Sequence, residues 1–492
     1  MSLAERHDVI VVGCGVAGLP AAVAAQEAGA RVCVLERAPI EERGGNTRHT
    51  HAYFRMKSET EVTDDFEEHF AANAGGYVDP TLIAELGNDP QSWSPALRAF
   101  SLVDPNVVAR LAERAAPTLA WLRGFGVRFI PLEVPFPTSA QPRIMPSGGG
   151  LALVEALAAR FEAGGGTIRY ETSAQWLILD DDGGVAGVQT LGRDNRRERL
   201  AAGAVVLGCG GFQGNAEMMS RYVGPQSAYL RVMSMGCNYN KGEGIRMALE
   251  IGAAPCGDYS SFHASPMDPR SKRAGPSIYI YPYGILVTRE GRRFVDEGPG
   301  HTDATYEEVS RRIAAQSQGI AYAILDAKLA DIPNKSVAIR TEQPAIEAPT
   351  IAALAGKLGI AADVLEHTLA DYNAACPSSG RFDPVRLDGL ATQGLTPTKS
   401  NWSRRIDVAP FYAYPIVSSI VFTFGGLKVN VDAQVINLQG DPIPGLYAAG
   451  ETMGLYYGTY TGATSVLKGA VFGRIAGTDA ARRRRSHGVD RP

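Results

Sequence analysis

From His7 to Val12 the chain reads HDVIVV, a short β-branched run whose pattern predicts a strand buried on both faces. The glycine turn Gly13-Cys14-Gly15-Val16-Ala17-Gly18 follows, and Ala17–Ala28 is an alanine-rich stretch that favours helix. Gly29 and Ala30 end it, and Arg31–Leu35 predicts a second buried strand with Glu36 at its end. Later, Ala204–Gly211 (AVVLGCGG) and Ile443–Glu451 (IPGLYAAGE) each predict a strand running into a glycine turn. Gly242–Ala253 reads as a helix, and helical spacing is found in Ile351–Leu358 and in Val364–Ala375, where Leu365, Leu369 and Tyr372 share a face. Thr350 and Asp363 are the expected N-caps of the last two. Thr459–Gly473 starts polar and glycine-rich and turns helical through Phe472.

The first forty residues carry specific chemistry. Gly13 permits a tight turn, Gly15 lets backbone approach a pyrophosphate, and Gly18 lets helix and strand pack closely. The helix N-terminus offers free N–H groups and a partial positive charge to the anion. Glu36, 18 positions after Gly18, is placed to accept hydrogen bonds from a ribose hydroxyl pair. The unit predicts a bound dinucleotide. Three later segments favour FAD over NAD: Gly44-Gly45-Asn46-Thr47, the strand and turn ending at Gly211, and the strand ending in Gly450-Glu451 before a polar helix start. That helix start can aim its positive end at a flavin pyrimidine, which gains negative charge on reduction.

Composition narrows the class. The 492 residues are 45% hydrophobic and 20% charged, which suits a soluble globular protein. A net charge of −4 disfavours a general nucleic-acid binder. The arginine run Arg482–Arg485 reads as the solvated end of the last helix. The six cysteines form no C-x-x-C, which excludes the usual spacings for zinc, iron–sulfur or attached haem. Few and scattered, they suit a reducing compartment, so a cytoplasmic location is expected. The sequence shows neither a secretory pattern nor a membrane-spanning apolar stretch.

The motifs VVGCGVAG, LERAP, RGGNTRHT, GGFQGN, NKGEGIRMALEIGA, LVTREGRRFVDEG, TFGGLKV, GLYAAGE and VFGRIAG together resemble the flavoprotein subunits of fumarate reductase and succinate dehydrogenase, from His7 to about Gly477. Within that family the pattern is most similar to the FAD-dependent tricarballylate dehydrogenases. The resemblance implies an α/β fold: a Rossmann-like FAD-binding domain, roughly residues 1–258 and 400–492, with an inserted α+β capping domain at roughly 259–399. It implies FAD contacts at Gly13, Gly15, Ala17, Gly18, Glu36, Gly45, Asn46, Thr47, Ala174, Gly210, Gly211, Glu451, Ser465 and Val466. The covalent-histidine segment of the membrane-bound relatives is not recognisable ahead of Gly44, so non-covalent FAD is expected.

Hydride exchange at carbon requires that the neighbouring carbon lose or gain a proton, and that carbon is acidic only beside a carbonyl or carboxylate. The expected reaction therefore interconverts CH–CH and C=C next to such a group. Fumarate reductases carry two histidines before their T-x-G-G motif, where this chain has Val421-Phe422. Their substrate-binding arginine aligns with Tyr460, and their proton-donating arginine with His301, counted from Arg293-Phe294-Val295-Asp296-Glu297. A family histidine near the start of the cap matches His263 in SSFHASP. His263, His301 and Tyr460 are thus the expected catalytic residues, with His301 or Tyr460 handling the proton. His49 and His51 follow the GGNT loop and are expected near the flavin edge, with no metal site. Two substrate classes stay open: a small carboxylate, or a neutral enone of the 3-ketosteroid type. A non-catalytic flavin-binding scaffold is the alternative of another class. No haem or cluster motif is present, so an external electron acceptor is expected; the resemblance implies a membrane-associated electron-transfer protein.

Overall fold

The computed structural model describes residues 5–73, 84–86, 88–89, 92–132 and 142–487. The amino-terminal strand Glu5–Val12 lies in an eight-stranded mixed sheet, parallel to Val32–Leu35 on one side and Arg197–Leu207 on the other. Thr167–Arg169 extends the parallel set beyond Val32–Leu35, and Pro442–Ala448 beyond Arg197–Leu207. Val9, Ile10 and Val11 are fully buried, as the uninterrupted apolar run requires of a strand covered on both faces. Thr172–Leu179, Val185–Gly192 and Gln434–Ile436 add antiparallel strands.

Two helices lie against each other beside this sheet, Gly18–Glu27 and the long Ser465–His487. Their approach is so close that a Cβ on Gly473 would sit 2.2 Å from Ala17 O, and one on Gly477 2.0 Å from Ala21 O. Glycine at these positions therefore sets the helix spacing.

The second sheet has six strands. Phe411–Thr423 is its centre, pairing with Arg231–Val232, Phe262–Met267, Ile320–Leu325 and Ile346–Ala348, while Ile285–Thr288 pairs with Ile320–Leu325. The central strand lies inside the segment 400–492 assigned by sequence to the first unit; the chain rejoins the first sheet only at Gln434–Ile436. The reason is pairing: twelve of the thirteen residues of Phe411–Thr423 being apolar or small lets the strand sit between two partners rather than at an edge. Helix Thr302–Ala314 packs on Phe262–Met267 and Phe411–Thr423. Helices Ile351–Leu358 and Ala362–Ala375 share a core with Ile285 and Val287, with Leu365, Leu369 and Tyr372 buried as the spacing predicted. Thr350 caps the first, its hydroxyl accepting from Ala353 N. Asp363 does not cap the second: Ala361 is the N-cap, and Asp363 sits in the first turn, where the helix dipole favours an acid.

Candidate active site

The parallel strands Glu5–Val12, Val32–Leu35, Arg197–Leu207 and Pro442–Ala448 run into one cleft, the expected ligand position of an open α/β sheet. Its empty space, part of it open to solvent, is about 1170 Å³. Gly13, Gly15, Ala17, Glu36, Gly45, Asn46, Thr47, Ala174, Gly210, Glu451, Ser465 and Val466 line it. Two expected contacts do not. Gly18 is spent on packing, since a Cβ there would lie 1.8 Å from Gly13 O. Gly211 leaves room for Glu451 and Thr423, whose oxygens would be 2.3 and 2.1 Å from its Cβ.

The walls are tied together by side chains. Glu36 accepts from Cys14 N at 2.9 Å and Ala38 N at 2.8 Å, and burial raises its carboxyl. Val16 N donates to Thr47 Oγ1 at 3.1 Å, and Asn46 Nδ2 donates to Val421 O at 2.8 Å, so the Gly44–Thr47 loop bridges both sheets. Glu243, which departs from the aspartate usual in the resembled family, pairs with Arg37 at 2.7 Å on the cleft wall. A Cβ on Gly15 would come 3.2 Å from Thr47 Oγ1 and 3.6 Å from Gly44 O, within the gap between the two turns. That gap beside a helix N-terminus, with glycine at its narrowest point, fits a dinucleotide diphosphate.

Glu451 is partly buried and accepts from Thr423 N at 2.8 Å and Asn240 Nδ2 at 3.2 Å. Burial nevertheless raises its carboxyl to about 7. A folded-state value above the ordinary 4.5 means that the protonated form is favoured by folding. This contribution is complete below about pH 4.5 and is lost as pH rises through about 7, at up to about 1.4 kcal/mol per pH unit. Glu451→Gln is therefore expected to flatten the fall in melting temperature across that window; an unchanged slope contradicts the assignment. Nearby Lys468, lowered by burial to about 7, donates to Met453 O at 2.8 Å and stands 4.5 Å from the centre of the Tyr456 ring.

Beside the cleft, Phe422 and Tyr456 form a shared wall with a second cluster. The ring centroid of His263 lies 4.5 Å from that of Tyr460 and 5.1 Å from that of Phe422. The strand register shifts between His263 and Ala264, a bulge of the kind that re-aims a side chain. His263 Nδ1 bonds Glu307 Oε2, and its Nε2 lies 3.2 Å from the Tyr306 hydroxyl. Because a carboxylate accepts, Nδ1 carries the proton and Nε2 is the accepting nitrogen. The other Glu307 oxygen accepts from Tyr460 N at 3.1 Å and from Arg311. Glu307 and Tyr306, both on Thr302–Ala314, were absent from the residues singled out by sequence; the turn spacing Tyr306-Glu307-Arg311 was their only signal.

Tyr460 joins this cluster to the carboxy-terminal helix. Its hydroxyl accepts from Thr464 N and Ser465 N, each at 3.0 Å, and donates to Ser465 Oγ at 3.0 Å. The helix start aimed at the cleft is therefore met by a phenol. His301 is elsewhere: it is the N-cap residue of Thr302–Ala314, with Nδ1 buried and unbonded, and among the described residues no ring contact or hydrogen bond joins its side chain to His263 or Tyr460. Thr50 lines the cleft, whereas His51 stacks on Tyr53 and burial lowers it to about 4. Among the described residues no group of three or more His, Cys, Asp or Glu side chains is placed to hold a metal ion, and no helix is long and apolar enough to cross a membrane.

Known proteins match this arrangement. The FAD binding domain family covers residues 8–467. A probable fumarate reductase of Shewanella frigidimarina is 28% identical, aligning over 99% of this chain and 76% of its own. A urocanate reductase of Eggerthella lenta is 29% identical over 96% of this chain and 74% of its own. An NADH:acrylate oxidoreductase of Vibrio harveyi is 27% identical over 97% of this chain, which spans 51% of it. The open conformation of a flavocytochrome c3 fumarate reductase superposes with a TM-score of 0.72 at 25% identity, covering 98% of this chain and 79% of that one. A 3-ketosteroid-Δ4-(5α)-dehydrogenase of Rhodococcus jostii shares the fold, with a TM-score of 0.69 at 24% identity and 98% of each chain covered. The fold, the glycine-walled cleft and these matches agree: the chain belongs to the FAD binding domain family and is an FAD-dependent dehydrogenase or reductase acting on CH–CH or C=C bonds.

Proposed function

We propose that the protein interconverts CH–CH and C=C next to a carboxylate on a small acid of the tricarballylate class. The supporting observation is the imidazole of His263, held between Glu307 and Tyr306 with its ring tilted against Tyr460, next to the Phe422 and Tyr456 wall of the FAD cleft. FAD, when bound, supplies the hydride exchange. The chain supplies the proton path. Glu307 fixes the tautomer of His263 so that Nε2 accepts, and Tyr306 or the substrate carbon delivers the proton there. Tyr460 packs its ring beside His263 and, on releasing Ser465 Oγ, gives its one O–H to the substrate oxygen, and His301 is the further proton-handling residue at the head of Thr302–Ala314. The cofactor is held without a covalent link by the twelve cleft residues named above, with residues 259–399 as the cap that excludes water. Electrons pass to an external acceptor, and the six free cysteines suit a reducing compartment.

A second reading, a ketosteroid-type enone, is favoured by the Tyr460 hydroxyl and by a 26% identical relative named 4-oxocyclohexanecarboxylate 2-dehydrogenase. Anaerobic mixing of the flavin-loaded protein with a panel of acids and ketosteroids separates the readings. Bleaching of the flavin by tricarballylate or a related acid is expected; bleaching by ketosteroids alone selects the enone, and bleaching by nothing leaves the scaffold. Acid precipitation is expected to leave all flavin in the supernatant, and flavin retained on the polypeptide contradicts non-covalent binding.

A further inference from the structure

The two positions that align with the family's functional arginines hold Tyr460 and His301, so neither supplies a guanidinium for a substrate carboxylate. A guanidinium nevertheless reaches a near neighbour of each, brought from elsewhere in the chain. Arg143, just ahead of the strand Ile144–Pro146, pairs through Nη2 with Asp303 Oδ2 at 2.8 Å, two residues beyond His301. The same Nη2 would lie 3.2 Å from a Cβ on Gly462, two residues beyond Tyr460. One helical turn from Asp303 are Tyr306 and Glu307, the partners of His263.

Arg143 is also under-used. Its side chain is 12% exposed, and among the described residues its Nε is buried with no partner and its one side-chain hydrogen bond is that from Nη2 to Asp303. A guanidinium has five N–H donors, and a buried donor left unmet carries a desolvation cost that an acceptor ligand removes. Asp303 fixes the fork at one corner without filling it. Arg55 repeats the motif alongside: it pairs with Asp65 at 2.6 Å, its Nε is buried without a partner, and its backbone N donates to Ala463 O at 2.8 Å. Gly462 leaves the space over Arg143 clear, because any side chain there would press on the guanidinium.

We propose that Arg143 is the carboxylate-recognising residue of the substrate site, held in register by Asp303, and that it selects acids over neutral enones. This rests on the reading that the site oxidises or reduces a carbon–carbon bond beside a carboxylate, and it names the residue that makes the carboxylate necessary.

The test uses the flavin-loaded protein and its visible spectrum as a binding signal. Malonate, which has no CH–CH bond to react, and tricarballylate are titrated against wild type, Arg143→Gln and Arg143→Lys, with androst-4-ene-3,17-dione as the neutral probe. Wild type is expected to respond to the acids. Arg143→Gln, at unchanged flavin content, is expected to bind them about 10- to 100-fold more weakly, as loss of charge-assisted hydrogen bonds dictates. Arg143→Lys keeps the charge and the pairing with Asp303 but loses the planar fork, so it folds even if the glutamine variant does not, and is expected to fall between. Acid affinities equal to wild type in both variants overturn the assignment while leaving the carboxylate reading intact. Equal weakening of acids and the neutral probe also overturns it, as damage to the pocket at large. A wild type that responds only to the enone overturns both.

Discussion

Gly15→Val is expected to give a folded but colourless protein. The position is not in the left-handed backbone region, so the substitution adds no main-chain strain. Its Cβ would come 3.2 Å from Thr47 Oγ1 and 3.6 Å from Gly44 O, and the two methyls of valine extend into the gap between the turns. That gap is where the backbone must approach the diphosphate. Gly18→Val is the contrasting case, because its Cβ would collide with Gly13 O at 1.8 Å and the strand–helix unit itself must deform. The expected pair of results is loss of flavin with near-wild-type circular dichroism and melting of the flavin-free protein for Gly15→Val, and poor folding for Gly18→Val. Stoichiometric flavin in Gly15→Val contradicts the placement of the cofactor.

Glu307→Gln is expected to lower kcat by about 10²- to 10³-fold while FAD content stays at the wild-type level. The carboxylate touches three groups, His263 Nδ1, Tyr460 N and Arg311, and the imidazole links it on to the Tyr306 hydroxyl. Glutamine keeps the shape but presents an amide that no longer selects the Nδ1-protonated tautomer, so His263 Nε2 loses its standing as acceptor. Removing one partner of a buried pair also leaves Arg311 without its counter-ion. A structural role alone would show as lost flavin or lowered melting with an unchanged pH profile. The proton-handling role shows as an altered pH profile of kcat, and His263→Ala is expected to match it with little further loss in the double variant. Full turnover in Glu307→Gln rules the relay out.

Much of the cofactor side was legible because its signal is local. Gly13, Gly15 and Gly18 work by backbone geometry over six residues, and Glu36 is placed by a single strand–helix–strand unit, so spacing alone locates them. Gly18 and Gly211 show the limit: a motif marks a glycine as necessary without saying whether ligand or neighbour needs the space. The proton side was legible only as positions. Counting from Glu297 reaches His301, which is the N-cap of its helix, but the carboxylate that organises His263 comes from 44 positions downstream. Arg143, 160 positions before Asp303, has no local pattern at all. The segment 400–492 was assigned whole to the FAD-binding unit, whereas Phe411–Thr423 pairs in the second sheet, a long-range partnership that motif order along the chain does not carry.

The direct test of the whole account is the flavin content of the purified wild-type chain. One FAD per polypeptide, released on denaturation and restored by adding FAD to the stripped protein, is the predicted result. A colourless chain that stays colourless when incubated with FAD contradicts the account.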